Sequence, residues 1–151
     1  MDKFLPKSNN FSTRVKDSFA RQTAMHTLGI YIDTVQAGEV TLSMPYSTAL
    51  SQQHGFIHAG VITTGMDSAA GYAAFSLMAD DAAVLTVEFK VNLLSPARGD
   101  RFLFKGTVIK PGRNITFTEA KAYAVNKGQE KLIATMSATM MAVVGRDEIK
   151  G

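Results

Sequence analysis

The chain has 151 residues, and a domain of that size buries roughly 70% of the surface that its unfolded chain exposes, so we predict one domain over residues 1–151. It contains no cysteine, which excludes disulfides, thiolate metal ligands and a cysteine nucleophile. The net charge is +3, but residues 25–89 contain no Lys or Arg, while residues 90–131 are strongly basic. Such a basic segment is typical of a protein that binds a phosphorylated ligand, nucleic acid or a membrane, and it is equally typical of charged side chains that only face solvent.

The N-terminal residues are polar and charged. They lack the apolar stretch of a signal peptide, so we expect a cytoplasmic protein. Phe11, Val15 and Phe19 recur every four residues and predict an amphipathic helix at about 11–26, with Gly29 ending it.

Strands are predicted on both sides of a long apolar segment. Residues 30–45 predict two short strands around a turn at Ala37 and Gly38. Four consecutive strands are then expected in residues 83–94, 101–110, 115–125 and 131–144, separated by turn residues. In the first of these four, strict alternation places one set of side chains on the apolar face and the other set on the polar face: Leu85, Val87, Phe89, Val91 and Leu93 against Thr86, Glu88, Lys90 and Asn92.

The segment from Gly55 to Ala79 is apolar and predicts one buried helix. A membrane span is disfavoured, because the central Asp67 would cost roughly 2.5–3.5 kcal/mol on insertion and strands flank the segment. Four antiparallel strands need a cover for their apolar face, so we predict an α+β fold with the sheet curled around this helix.

Asp67 is the one full charge in that helix. An unpaired buried carboxylate is costly, so Asp67 should be neutralised, hydrogen-bonded, or placed in a cleft or a subunit interface. The simpler structural explanation is that it caps a kink beside Gly65 or pairs with an arginine.

The predicted start of the helix is the second candidate for chemistry. His54, Gly55, His58, Ala59 and Gly60 cluster where free backbone N–H groups would face a ligand. Nine residues separate the second histidine from Asp67, or about 13.5 Å along a helix. One chain therefore hardly brings both to one small substrate, whereas a symmetric dimer would.

Established catalytic motifs are missing from the sequence. There is no Gly-x-Ser-x-Gly, His-Glu-x-x-His, Gly-x-Gly-x-x-Gly or phosphate loop. Three histidines, at positions 26, 54 and 58, are too few and too badly spaced for a metal site.

Three stretches carry a family resemblance: "QQHGFIHAGVITTGMDSAAGYAA", "VLTVEFKVNLLSPARGD" and "KPGRN". Together they resemble the PaaI-like (phenylacetate-degradation type) acyl-CoA thioesterases of the hotdog fold, over nearly the whole chain from about Phe11 to Val144. The resemblance implies a curved antiparallel sheet of five to six strands around one long helix. It also implies homodimers with shared active sites, paired into homotetramers.

The resemblance also implies catalytic roles. Asp67 would be a general base or a nucleophile, with the hydroxyl of Thr86 beside it. The backbone N–H of Ala59, from the other subunit, would polarise the thioester carbonyl, although many relatives have glycine there. His58 would orient the carbonyl or cap the helix, while Gln52 and Gly60 would contact the substrate.

Coenzyme A is part of the substrate in this interpretation, and no separate cofactor or metal is expected. Its phosphates would meet the turn Gly112, Arg113 and Asn114 and also Lys90. We expect no nucleic-acid or membrane partner. Two alternatives stay open: a hotdog-fold hydratase or dehydratase in which His58 handles the proton, and a non-catalytic acyl-CoA-binding protein.

Overall fold

The computed structural model describes residues 3–151, and across them six strands form one antiparallel sheet wrapped around a central helix. The elements in chain order are α1 (Phe11–Ala20), α2 (Thr23–Leu28), β1 (Tyr31–Gln36), β2 (Glu39–Pro45), a 3-10 turn (Thr48–Leu50), α3 (Ala59–Phe75), β3 (Ala82–Leu93), β4 (Arg101–Lys110), β5 (Ile115–Asn126) and β6 (Gln129–Val144). The strand order is β1-β2-β4-β5-β6-β3, which confirms the predicted hotdog fold.

The N-terminal helix predicted at about 11–26 is wrong in its extent, because the chain breaks it after Ala20. The N–H groups of Arg21 and Gln22 donate to the carbonyls of the last turn of α1, and Gln22 is extended with ψ 91°. Met25 does not continue the four-residue spacing of α1, yet it is 2% exposed. The break lets a second short helix turn this side chain into the core. Gly29 ends that second helix with φ 70°, as predicted.

Helix α3 packs very closely on the sheet because small residues line its buried side. A Cβ atom added to Gly65 would lie 2.5 Å from the ring of Phe104, and one added to Gly106 would lie 2.2 Å from the Ala69 carbonyl oxygen. These contacts place the helix axis near the concave face of the sheet. Within residues 3–151, no helix has the length and hydrophobicity that crossing a bilayer requires.

Strand β3 contains a β-bulge, and this overturns the predicted division of its two faces. Thr86 pairs with Met140 of β6, whereas Glu88 pairs with the next residue, Thr139. Val87 is therefore the extra residue, and it shifts the alternation by one position. Thr86 lies on the inner face, toward α3, and Leu85 lies on the outer face opposite Met141.

Strand β3 is also an edge of the sheet, with β6 on one side only. It is 12 residues long, and three apolar side chains near its middle are exposed: Leu85 by 42%, Val87 by 54% and Phe89 by 46%. A long apolar edge presents unpaired backbone groups to another strand.

Candidate active site

Asp67 opens into a cavity of about 380 Å³ between α3, the start of β3 and the end of α1. Its side chain is half-buried. It accepts a hydrogen bond from the hydroxyl of Thr86, with 2.8 Å between Oγ1 and Oδ1. The predicted proximity of these two residues is found in the structure, and the bulge in β3 produces it by turning Thr86 inward.

Two opposing influences act on the carboxyl of Asp67. Burial raises the pKa of Asp67 above its ordinary value of 3.8, because the charged form loses solvation, and the hydrogen bond from Thr86 lowers it. A carboxylate with a raised pKa is a stronger base than a fully solvated one.

The structural explanations for Asp67 do not fit its contacts. Among residues 3–151, no lysine or arginine forms an ion pair with it. Arg14 instead donates to the carbonyls of Met78 and Ala79 beyond the end of α3, at 3.1 and 3.0 Å. Gly65 allows α3 to pack closely against the Phe104 ring, and this contact explains the glycine without a helix kink that Asp67 would cap.

The start of α3 opens into a second cavity, of about 560 Å³, at the other end of β3. His58 is the N-cap of α3, and its Nδ1 atom accepts from the N–H of Gly60 at 2.9 Å. This contact favours the capping role of His58. The N–H of Val61 is bound by the His58 carbonyl. In the described part of the chain, no hydrogen bond occupies the N–H of Ala59, which points out of the first turn.

Gln52 lines the same cavity as His58 and Ala59. Its Oε1 atom accepts from the N–H of His54 at 2.6 Å, which leaves its amide group free to donate. Gly60 is exposed, but its N–H is already taken by His58, so any contact with a substrate would not use that N–H.

The remaining predicted residues lie outside both cavities. Gly112 and Arg113 line separate depressions with Lys7 and Leu77, and Asn114 is bound through its carbonyl by the N–H of Ala142. Lys90 is exposed and pairs with Ser137 on the outer face of the sheet. The structure therefore does not bring these residues to Asp67 or Ala59 within one chain, and their predicted contact with coenzyme A stays a prediction.

Several lining residues of the Asp67 cavity were not predicted. Gly71 lies one turn after Asp67, and residues 148–151 also line the cavity. The four-residue spacing from Asp67 would have revealed Gly71. No local sequence pattern predicts that residues 148–151 line this cavity, because their position depends on how the chain folds back after β6.

No three His, Asp or Glu side chains in residues 3–151 come together as a candidate metal site. That hydrolysis needs no metal ion stays a prediction.

Comparison with known proteins gives the family. Residues 54–131 match the Thioesterase superfamily. A thioesterase family protein of Silicibacter pomeroyi has a similar structure, with 60% sequence identity, a TM-score of 0.89 and coverage of 90% of this chain and 100% of that one.

Two more distant structures share the fold. The PaaI protein from the phenylacetic acid degradation operon of E. coli has a TM-score of 0.81 at 20% identity, over 92% of this chain and 97% of that one. A thioesterase of Haemophilus influenzae has a TM-score of 0.80 at 20% identity, over 93% and 96%. Because the superfamily match spans more than half of the chain, this protein belongs to the Thioesterase superfamily and is a thioester hydrolase with the PaaI-like hotdog fold.

Proposed function

We propose that the chain hydrolyses acyl- or aryl-acyl-CoA thioesters to the free acid and coenzyme A, with Asp67 at the reacting centre. The observation that carries this proposal is the half-buried Asp67 carboxylate, which lies in a cavity, is held by Thr86 and has no cationic partner among residues 3–151. Such a group is positioned for proton abstraction or nucleophilic attack rather than for stability.

Two mechanisms use this geometry. As a general base, Asp67 takes a proton from a water molecule while the water oxygen attacks the thioester carbon. As a nucleophile, one carboxylate oxygen attacks the same carbon and the carbon–sulfur bond breaks, which releases the coenzyme A thiolate. Water then hydrolyses the resulting anhydride to the free acid and restores the Asp67 carboxylate. Thr86 binds Oδ1, so Oδ2 is the free oxygen in either case. The thiolate leaving group needs little acid assistance, because thiol pKa values lie near about 8.5.

The carbonyl oxygen needs a hydrogen-bond donor, which the N–H of Ala59 supplies in this proposal. Asp67 and Ala59 open into different cavities at opposite ends of β3. If two β3 strands pair antiparallel about a two-fold axis, the start of one lies beside the end of the other. Each Asp67 cavity then meets the helix start of the partner, and the dimer holds two complete sites.

We also propose that two dimers form a tetramer and that the turn at Arg113 binds coenzyme A. The outer face of the sheet exposes Ile109, Ile115 and Phe117 by 44%, 37% and 52%, which is consistent with a tetramer of two dimers. The basic turn at Arg113 would reach the coenzyme A phosphates of a site shared between subunits.

The test is hydrolysis of a panel of short, long and aromatic acyl-CoA esters, followed by thiol appearance. Asp67→Asn keeps an acceptor for Thr86 and removes the base, so we expect turnover to fall about 10²-fold or more, with the fold and the dimer unchanged. Near-normal turnover by this variant would reject the role of Asp67. Conversion of an added 2-enoyl-CoA ester without thiol release would favour the hydratase alternative.

Ala59→Pro tests the proposed donor without harming the helix. Proline is well accepted at the first helical position, and His58 before it already has the extended conformation, φ −59° and ψ 136°, that precedes proline. The substitution removes only the N–H, so we expect turnover to fall about 10²–10³-fold. Ala59→Gly is the matched control, because it keeps the N–H.

A further inference from the structure

Residues 145–151 fold back from the end of β6 toward Asp67, and we refer to them as the C-terminal strap. Gly145 turns the chain with φ 75°, a left-handed conformation that favours glycine. The N–H of Ile149 then donates to the Arg146 carbonyl at 3.1 Å, which closes a turn. Residues 148–151 consequently line the cavity that contains Asp67.

Two contacts hold the end of the strap on the body of the protein. The guanidinium of Arg21, at the end of α1, donates to the carbonyl oxygen of Gly151. Gly151 also lies against Phe75 of α3, so closely that an added Cβ atom would be 2.5 Å from the Phe75 ring and 2.6 Å from the Ala82 carbonyl oxygen. Any larger residue at position 151 would have to move the strap away from α3.

The cavity between Asp67 and the strap has free volume beside Gly71. A Cβ atom at that position would meet no atom within 4 Å, although Gly71 lies in the middle of a helix. In the proposed function the thioester carbon lies beside Asp67, and this space next to it is where the acyl group would extend. At about 380 Å³ this space is at the small end of the usual range for ligand pockets, and the strap lines one side of it.

We propose that the C-terminal strap is the end wall of the acyl cavity and restricts the enzyme to short or compact acyl groups. This inference rests on the proposed function. In it, Ile149, which is half-buried, and the backbone up to Gly151 stop the acyl chain, while Arg21 and Phe75 keep the strap in place.

Substrate selectivity gives the first test. We compare butanoyl-, octanoyl-, hexadecanoyl- and phenylacetyl-CoA for the full chain and for a chain that ends at Gly145. The ratio of kcat/KM for hexadecanoyl-CoA to that for butanoyl-CoA should rise about tenfold or more in the shortened chain. Gly151→Val in the full chain should shift the ratio in the same direction, whereas Asp147→Ala, at an exposed strap residue that does not line the cavity, should not. An unchanged ratio in both strap variants would overturn the proposal.

Access to the cavity gives a second test that does not depend on hydrolysis. Because the chain has no cysteine, Gly71→Cys introduces a single thiol into the cavity. Its reaction rate with a thiol reagent should rise about tenfold or more when the strap is deleted, as for other buried sites that become open. The exposed Thr13→Cys on α1, outside the cavity, should react equally with and without the strap.

These measurements separate the two proposals. If no variant hydrolyses any acyl-CoA but deletion speeds labelling at position 71, the strap closes the cavity and the proposed substrate class is wrong. If labelling at position 71 does not change, the strap does not close the cavity and the inference is overturned, whatever the enzyme hydrolyses.

Discussion

Asp67 and Thr86 are joined by a hydrogen bond, and the proposed chemistry depends on this residue pair. Burial raises the pKa of Asp67, while the Thr86 hydroxyl lowers it by stabilising the charged form. The pair is held by the inward turn of Thr86 at the bulge, so a residue one position away in β3 would not replace it.

The pH profile of hydrolysis should report this pair. In the proposed mechanism Asp67 acts in its ionised form, so kcat/KM should fall on acidification, with a midpoint above the ordinary aspartate pKa. Thr86→Val keeps the shape of the side chain but removes the hydrogen bond, so the pKa of Asp67 and the acidic midpoint should both move to higher pH. Thr86→Ser keeps the hydroxyl and should leave the midpoint near that of the wild type. A valine variant with an unshifted midpoint would contradict the role of this hydrogen bond.

The same ionisation should reduce stability. Because burial gives Asp67 a higher pKa in the folded chain than in the unfolded chain, the folded chain binds the proton more tightly, and the free energy of unfolding falls as pH rises through that range. Asp67→Asn removes this cost, so its melting temperature should exceed that of the wild type by a few degrees at pH 7. The difference should narrow as pH is lowered toward 4. Calorimetry at both pH values checks the sign, and a less stable Asn variant at pH 7 would contradict it.

At the scale of elements, α3 determines the position of the whole site. Its close approach to the sheet needs glycine at position 65, whereas the glycine at position 71 faces open space in the cavity. His58 caps its first turn and leaves the Ala59 N–H exposed at the mouth of the second cavity.

Gly65 and Gly71 of α3 offer a matched pair of variants. Gly65→Ala should lower the free energy of unfolding by about 1–3 kcal/mol, since the new methyl group meets the buried Phe104 ring. Gly71→Ala should raise it by about 0.5–1 kcal/mol, because alanine restricts the unfolded chain and meets nothing in the folded one. Denaturant unfolding of both variants is the measurement. Equal effects would mean that the helix does not lie as close to the sheet at Gly65 as described.

At the scale of the whole molecule, each chain carries two different halves of the proposed site. The Asp67 cavity and the α3 N-terminus open at opposite ends of the exposed edge strand β3. If two chains pair their β3 edges antiparallel, the Asp67 cavity of one chain meets the α3 N-terminus of the other, and neither chain has to change its conformation.

Subunit complementation tests this arrangement. Asp67→Asn and Ala59→Pro chains, refolded together in equal amounts, should recover about one quarter of the wild-type turnover per chain, because half of the dimers are mixed and one of their two sites is intact. Each variant refolded alone is the control. If the mixture stays as inactive as its components, the acid and the N–H donor do not come from different chains.

Much of this fold could be predicted from local patterns. The four-residue spacing of α1 and the apolar run of α3 reflect which side of one element is buried, and neighbouring residues encode that directly. The turn residues between β4, β5 and β6 mark where each strand ends. The isolated charge at Asp67 was visible for the same reason, since an acid in an apolar helix needs a particular environment.

Three features depended on the tertiary structure. The break after Ala20 follows from where Met25 finds the core, the inward side of Thr86 follows from a bulge relative to β6, and residues 148–151 reach the Asp67 cavity only because β6 ends beside α3. Sequence by itself determined which elements form and which residue carries the unusual charge. Only the tertiary structure decided what surrounds Asp67. The register between β3 and β6 and the path of residues 148–151 depend on contacts between residues far apart in the chain, which local sequence patterns do not contain.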